Sequence, residues 1–129
     1  NASQLQRNNV SALVGDDGIV TTPVEAVKFL KGLMEGKLIS TTSLELMKSW
    51  VTDKNGNPTY GLGLDYATTL GNISYGHSGG GIGAGCQLYY FPEKDVYVFA
   101  AINLGTVTDS PLHKLAEKSI DKIYAVILK

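Results

Sequence analysis

Between Tyr75 and Asn103 the chain sets glycines and strand-forming residues in an order that few folds can use. Gly76, Gly79, Gly80, Gly81, Gly83 and Gly85 come first. Cys86 to Phe91 and Val96 to Asn103 follow, two runs rich in β-branched and aromatic residues joined by Pro92-Glu93-Lys94-Asp95. Such runs pair as an antiparallel hairpin, because their side chains suit a pleated surface and the linking residues suit a turn. The glycines ahead of the hairpin let the chain bend, or run close to another backbone or a ligand, with no Cβ in the way. An antiparallel sheet around this hairpin is the first expectation.

The flanking segments supply helices and further strands. Thr22-Pro23-Val24-Glu25 has the form of a helix start, with Thr22 as cap, Pro23 at the first helical position and Glu25 as the returning acid of a capping box. Val27, Leu30, Leu33 and Met34 then share one face, and Gly36 ends the helix. Thr42 and Glu45 repeat the capping-box spacing and predict a shorter helix that turns Leu44, Met47 and Trp50 inward. After the turn-rich Asp53 to Pro58, the residues Tyr60, Leu62, Leu64 and Tyr66 alternate with Gly61, Gly63 and Asp65, which predicts a single strand with one apolar face. Leu70-Gly71-Asn72 turns the chain into a second strand, Ile73 to Ser78. Ser110-Pro111 opens a last helix with Leu112, Leu115, Ala116, Ile120, Ile123 and Ile127 on or near one side. The fold class expected is α+β: an antiparallel sheet of about four strands, the C-terminal helix on one face and two N-terminal helices. Residues 1–14 form a polar N-terminal segment, with Asn1-Ala2 read as a tag remnant, and residues 15–129 form the domain.

Composition removes several function classes. With 129 residues and a formal charge of −1 from interspersed acids and bases, the chain has no basic field for a phosphate backbone, so nucleic acid is not expected as a partner. The uncharged stretch Val96 to Leu104 is about half of the roughly 20 residues a membrane helix needs, and no signal-like segment precedes the domain, so a soluble chain is expected. Cys86 has no companion at metal or redox spacing and is expected to act as a small apolar residue on a strand. The two histidines, His77 and His113, lie far apart and neither pairs with a carboxylate or cysteine at ligand spacing, so no metal is expected. The glycine run satisfies neither dinucleotide nor Walker patterns.

His77-Ser78-Gly79, followed by Gly80, carries groups that a serine acyl-transfer site needs beside its nucleophile. Donors for a developing oxyanion, a hydroxyl and an imidazole that titrates near neutrality are all present. A substrate laid along such a strand meets backbone N–H and C=O groups directly where glycine leaves no Cβ. In the order aromatic strand, triplet, glycine run and hairpin, the segment resembles the active-site strand of the penicillin-binding-protein-like serine hydrolases. These are the class C β-lactamases, the D-alanyl-D-alanine carboxypeptidases and related esterases. The resemblance runs from about Gly15 through the last helix and covers only the C-terminal part of such an enzyme. It implies a partial β-lactamase/transpeptidase-like fold with His77 where many members carry lysine. It further implies the Ser78 hydroxyl on the substrate and the Gly80 N–H, beside Gly79, as one arm of the oxyanion hole. No cofactor is implied. The substrate class would be a small-molecule or peptide acyl compound, and the intact parent would work outside the cytoplasm.

Other readings stand beside it. Gly76-His77-Ser78-Gly79-Gly80 also satisfies the G-x-S-x-G nucleophile elbow, with Asp95 or Asp109 and then His113 following in the order Ser-Asp-His. An elbow needs a strand-to-helix turn, whereas Ser78 is followed by glycines and the strand-like Leu88-Tyr89-Tyr90-Phe91. The acylating Ser-x-x-Lys of the resembled family is missing from the place the family gives it. Ser119-Ile120-Asp121-Lys122 matches the spacing but falls in the final helix, with Ser119 between Leu115 and Ile123 on the packing face, and reads as chance. No Tyr-x-Asn occurs. The chain is therefore read as the C-terminal fragment of a serine acyl-hydrolase, inactive alone; a stand-alone binding or assembly domain is the non-enzymatic alternative. Val96 to Asn103 is uncharged and apolar on both faces, and in the resembled fold two further strands lie beside it. As a bare edge it leads to the expectation of a homo-oligomer or of a dimer with exchanged helices.

Overall fold

The computed structural model describes residues 19–81, 83–105 and 111–129, so the polar segment 1–14, Asp109 and Ser110 lie outside the described residues. Helix α1, Pro23–Met34, begins as its sequence directs: the Thr22 side chain accepts from the Glu25 amide at 3.2 Å, and proline occupies the first turn. Glu25 does not close the other half of the box. Its carboxylate accepts from Lys28 Nζ at 2.9 Å, a pairing one turn away that leaves the acid in solvent. Helix α2, Thr41–Met47, is capped by Ser40 rather than Thr42. Ser40 is the last extended residue before the helix, and its hydroxyl accepts from the Ser43 amide at 3.1 Å.

Among the described residues, six strands follow in the order of the chain to form one antiparallel sheet: β1 Val51–Thr52, β2 Pro58–Tyr60, β3 Asp65–Thr69, β4 Asn72–Gly80, β5 Gly85–Phe91 and β6 Val96–Ile102. Two more strands appear than the four expected, and both have local causes. The stretch Tyr60 to Tyr66 is not one strand, because Gly63 takes a left-handed φ of 76° and the Gly61 amide bonds back to the Leu64 carbonyl at 2.8 Å. The glycines fold what looked like an alternating strand into a turn between β2 and β3. Upstream, the Asp53 carboxylate accepts from the Asn55 and Asn57 amides and ties the loop that joins β1 to β2. Leu70 and Gly71, with φ of 50° and 80°, make the two-residue turn between β3 and β4.

Helix α3, Pro111–Ile127, covers one face of the sheet and α1 with α2 cover the other. Alternation along β5 separates the two cores: Tyr89 and Phe91 turn towards α3, while Leu88 and Tyr90 turn towards α1 and α2. On the α3 side, Phe91 is fully buried among Val98, Tyr124 and Leu128. The docking stripe of α3 differs from the expected one. It follows the i, i+4 ridge Ile120, Tyr124 and Leu128, and leaves Leu112, Leu115, Ile123 and Ile127 exposed. Ser119 is exposed as well, off the packing face, and donates to the Leu115 carbonyl at 2.8 Å. Cys86 is on a strand as expected but is exposed, not buried. On the opposite face, Leu30, Leu33, Leu44 and Leu64 form the second core, and Trp50 packs on its rim, stacked on Tyr75 at 5.3 Å.

Candidate active site

Strand β4 changes character at Gly76. From Asn72 to Gly76 it pairs with β3, ending at the Asp65–Gly76 pair. From His77 to Gly80 it pairs with β5 alone, and among the described residues no strand lies along its other edge. All four residues His77, Ser78, Gly79 and Gly80 are exposed. An extended backbone that is hydrogen-bonded on one side and open on the other can receive a peptide-like ligand by strand addition. Gly79 and Gly80 keep that edge free of side chains, and the Gly81 amide closes the following turn on the Ala84 carbonyl at 3.0 Å.

The side chains of His77 and Ser78 leave this edge towards opposite faces of the sheet, as neighbours on a strand must. His77 lies on the α1/α2 side. Its Nδ1 bonds to the carbonyl of Ser78, its Nε2 lies 3.1 Å from the Tyr60 hydroxyl, and the two rings meet edge to face at 5.7 Å and 84°. With both ring nitrogens engaged, the imidazole has no lone pair aimed at the Ser78 hydroxyl. Ser78 lies on the α3 side, at a cavity of about 250 Å3 that it lines with Gln87, Ala100, His113 and Glu117. His113, too, is engaged, through Nε2 to the Gly105 carbonyl. Ser78 sits within a continuous strand followed by another strand, so it lacks the strand-to-helix turn of a nucleophile elbow. Asp95, the other elbow candidate, stands in the turn between β5 and β6.

A polar row runs beside the triplet. Asp65, Gly76 and Tyr89 are register partners across β3, β4 and β5, and the Tyr89 hydroxyl donates to Asp65 Oδ2 at 2.8 Å. Gly76 makes this possible, since a Cβ there would lie 2.0 Å from the Leu88 carbonyl oxygen and 2.8 Å from Tyr89 Cα. Burial, and then the bond to Asp65 and its negative charge, push the Tyr89 phenol well above the usual tyrosine range, while a hydrogen bond from Ser78 acts in the other direction. Next to this row, the Tyr124 hydroxyl donates to Gln87 Oε1 at 3.0 Å. The sequence places Tyr60, Asp65 and Tyr89 on strands but points to none of Tyr60, Asp65, Gln87, Tyr89 and Tyr124 as a site residue. The only available signal was the crowding of tyrosines on either side of the glycines, which does not say which tyrosine reaches which partner.

Among the described residues, no group of three histidine, cysteine, aspartate or glutamate side chains could hold a metal ion, and no helix is long and apolar enough to cross a membrane.

No family model and no curated protein sequence matches the chain. Among solved structures, the crystal structure of D-amino acid amidase from Ochrobactrum anthropi SV3, complexed with D-phenylalanine, matches with a TM-score of 0.67. Identity is 23%, and the match covers 82% of this chain but only 36% of the amidase chain. The likeness is one of fold. At that identity the likeness concerns the α+β arrangement of helices and antiparallel sheet, which this chain shares with part of the amidase.

Proposed function

We propose that this chain is the sheet-bearing part of a serine acyl-hydrolase of the penicillin-binding-protein/β-lactamase type, with the open edge His77–Gly80 as one wall of the substrate cleft. The observation that carries the proposal is the half-paired strand: β4 gives up its β3 neighbour at the triplet and stays extended through Gly80. In this reading the acyl substrate lies along that edge, the Gly80 N–H supplies one oxyanion donor and Ser78 offers a hydroxyl. His77 faces the cleft from the α1/α2 side. The nucleophile comes from a serine outside these residues, and no cofactor takes part. The parent would act outside the cytoplasm.

In a longer protein that carries this chain, the acyl adduct formed with a penicillin or a fluorophosphonate should map to a serine outside residues 1–129, and His77→Ala should slow its formation. The isolated chain should not hydrolyse a chromogenic cephalosporin or a p-nitrophenyl ester above buffer. Turnover by the isolated chain that disappears in Ser78→Ala would sink this reading.

The same reading bears on association. Strand β6 pairs with β5 alone among the described residues and carries no charge from Val96 to Ile102, so antiparallel pairing with a second copy would satisfy its outer backbone groups. Sedimentation equilibrium of the isolated chain should give a dimer that Ala101→Lys weakens; a wild-type monomer at all concentrations removes this part of the proposal.

A further inference from the structure

The contact between Tyr60 and His77 joins two segments that the chain brings together with unusual care. Tyr60 ends β2, and the turn after it is held on two sides: the Gly61 amide bonds to the Leu64 carbonyl at 2.8 Å and the Leu62 amide to the Met47 carbonyl at 2.9 Å. Gly61 itself is packed so closely that an added Cβ would lie 2.0 Å from the Met47 carbonyl oxygen and 3.1 Å from the Trp50 ring. The position of Tyr60 is thus fixed by α2 and by the turn, independently of β4. Its ring comes to rest against His77 at the point where β3 ends and the edge of β4 opens.

The hydrogen-bond roles at this contact follow from what each atom can do. A carbonyl oxygen only accepts, so the bond to Ser78 requires that Nδ1 of His77 carry the proton. In the neutral ring Nε2 then has a lone pair and no hydrogen, so the Tyr60 hydroxyl is the donor across 3.1 Å. His113 is arranged the other way round, because its Nε2 faces the Gly105 carbonyl and must be the protonated nitrogen. The protein therefore holds its two histidines in opposite tautomers.

We propose that Tyr60 is the positioning residue of His77: it fixes the imidazole as the Nδ1–H tautomer, with its lone pair on Nε2, at the open edge of β4. The tautomer a histidine adopts is set by the partner of its other nitrogen, and here two partners act together, one from its own strand and one from β2. For the acyl-hydrolase reading, on which its functional weight rests, the consequence is specific. His77 does not reach the cleft as a free imidazole, because its Nε2 lone pair is taken up in accepting from the Tyr60 hydroxyl. Tyr60 is itself 40% exposed.

Long-range proton–nitrogen NMR on the 15N-labelled chain, about two units above the ordinary imidazole pKa of about 6.5, reads the tautomer of each histidine directly. His113→Gln assigns the two sets of signals. His77 should show a protonated Nδ1 and an unprotonated Nε2, and His113 the reverse. Tyr60→Phe keeps the ring and removes the donor, and should shift His77 towards the Nε2–H form several-fold while His113 stays as it is. A wild-type His77 in the Nε2–H form overturns the proposal without any variant, and so does a folded Tyr60→Phe chain with an unchanged His77 tautomer. The cleft reading fails separately: if His77→Ala leaves acylation of the longer protein at wild-type rate while the tautomer is as described, Tyr60 positions a histidine that the reaction does not use.

Discussion

In strand β4 the segment Asn72–Gly76 lies against β3 and contains the fully buried Ser74 and the buried Gly76, whereas His77–Gly80 has, among the described residues, β5 on one side only and every residue exposed. Both segments contain glycine, and it serves opposite ends. Gly76 removes a side chain so that protein can fill the space: the Leu88 backbone occupies the position of its Cβ, and Tyr89 spans from β5 to Asp65 on β3. Gly79 removes a side chain where little stands in the way, since an added Cβ would meet only the Cys86 thiol at 3.0 Å. One half of the strand is anchored by packing. The other has its second edge unpaired among the described residues, the arrangement that strand addition by a ligand needs.

The largest expected effect tests the anchored half. Gly76→Ala forces a methyl group into backbone, which cannot rotate aside, and should destabilise the chain by roughly 3 kcal/mol or more, at the upper end of overpacking losses. Urea unfolding followed by circular dichroism gives the value. If the variant unfolds within about 1 kcal/mol of wild type, a loss common to ordinary surface and core changes alike, the anchoring role of Gly76 is wrong.

An intermediate effect belongs to the row that Gly76 permits. Tyr89→Phe keeps the ring but leaves Asp65 without its donor, at a cost of about 1–2 kcal/mol for a partly buried, charge-assisted bond. The same tyrosine makes stability depend on alkaline pH. Its folded-state pKa is raised above the ordinary 10.0, first by burial and then by Asp65, and burial also raises those of Tyr97 and Tyr124. A raised pKa means the neutral phenol is preferred in the fold. Its contribution is therefore complete below about pH 10 and is lost progressively as pH rises above it. Urea midpoints between pH 8 and 11 should fall above pH 10, and less steeply in Tyr89→Phe than in wild type. An equal slope in the two proteins would mean that Tyr89 is not the group responsible.

What the sequence disclosed, and what it withheld, follows the range of the interactions. The Thr22 cap, the Leu70-Gly71 turn and the β5–β6 hairpin are settled by residues within a few positions of one another, and each forms as its local chemistry directs. The single strand expected from Tyr60 to Tyr66 does not form, because apolar alternation is the same in a strand and in a glycine turn whose direction is set by distant groups. The Met47 carbonyl, which holds Leu62, cannot be seen in that window. In α3 the apolar residues outnumber what one sheet face can bury, so periodicity alone does not choose the ridge through Tyr124, whose hydroxyl finds its partner in Gln87 on β5. Around His77–Gly80 the glycines are visible in the sequence, while Tyr60, Asp65 and Tyr89 come to that segment from other strands through register, which a single sequence does not encode in any short motif.

The smallest expected effect completes the comparison from the open half. His77 is exposed, and its two hydrogen bonds join groups that water could also satisfy, so His77→Gln should change stability by no more than about 0.5 kcal/mol. Gly79→Ala should cost less than about 1 kcal/mol, because the Cys86 thiol is an exposed, rotatable neighbour rather than backbone. The same urea series used for Gly76→Ala measures both. The contrast between Gly76→Ala and Gly79→Ala is the informative quantity: identical chemistry, three residues apart on one strand, should differ by at least about 2 kcal/mol. Were Gly79→Ala to destabilise as much as Gly76→Ala, the edge beyond Gly76 would be packed in solution, and a covered edge cannot take a substrate strand. A small loss at Gly79 and His77, combined with slower acylation of a longer protein carrying His77→Gln, would locate the cost of those residues in the reaction instead of the fold.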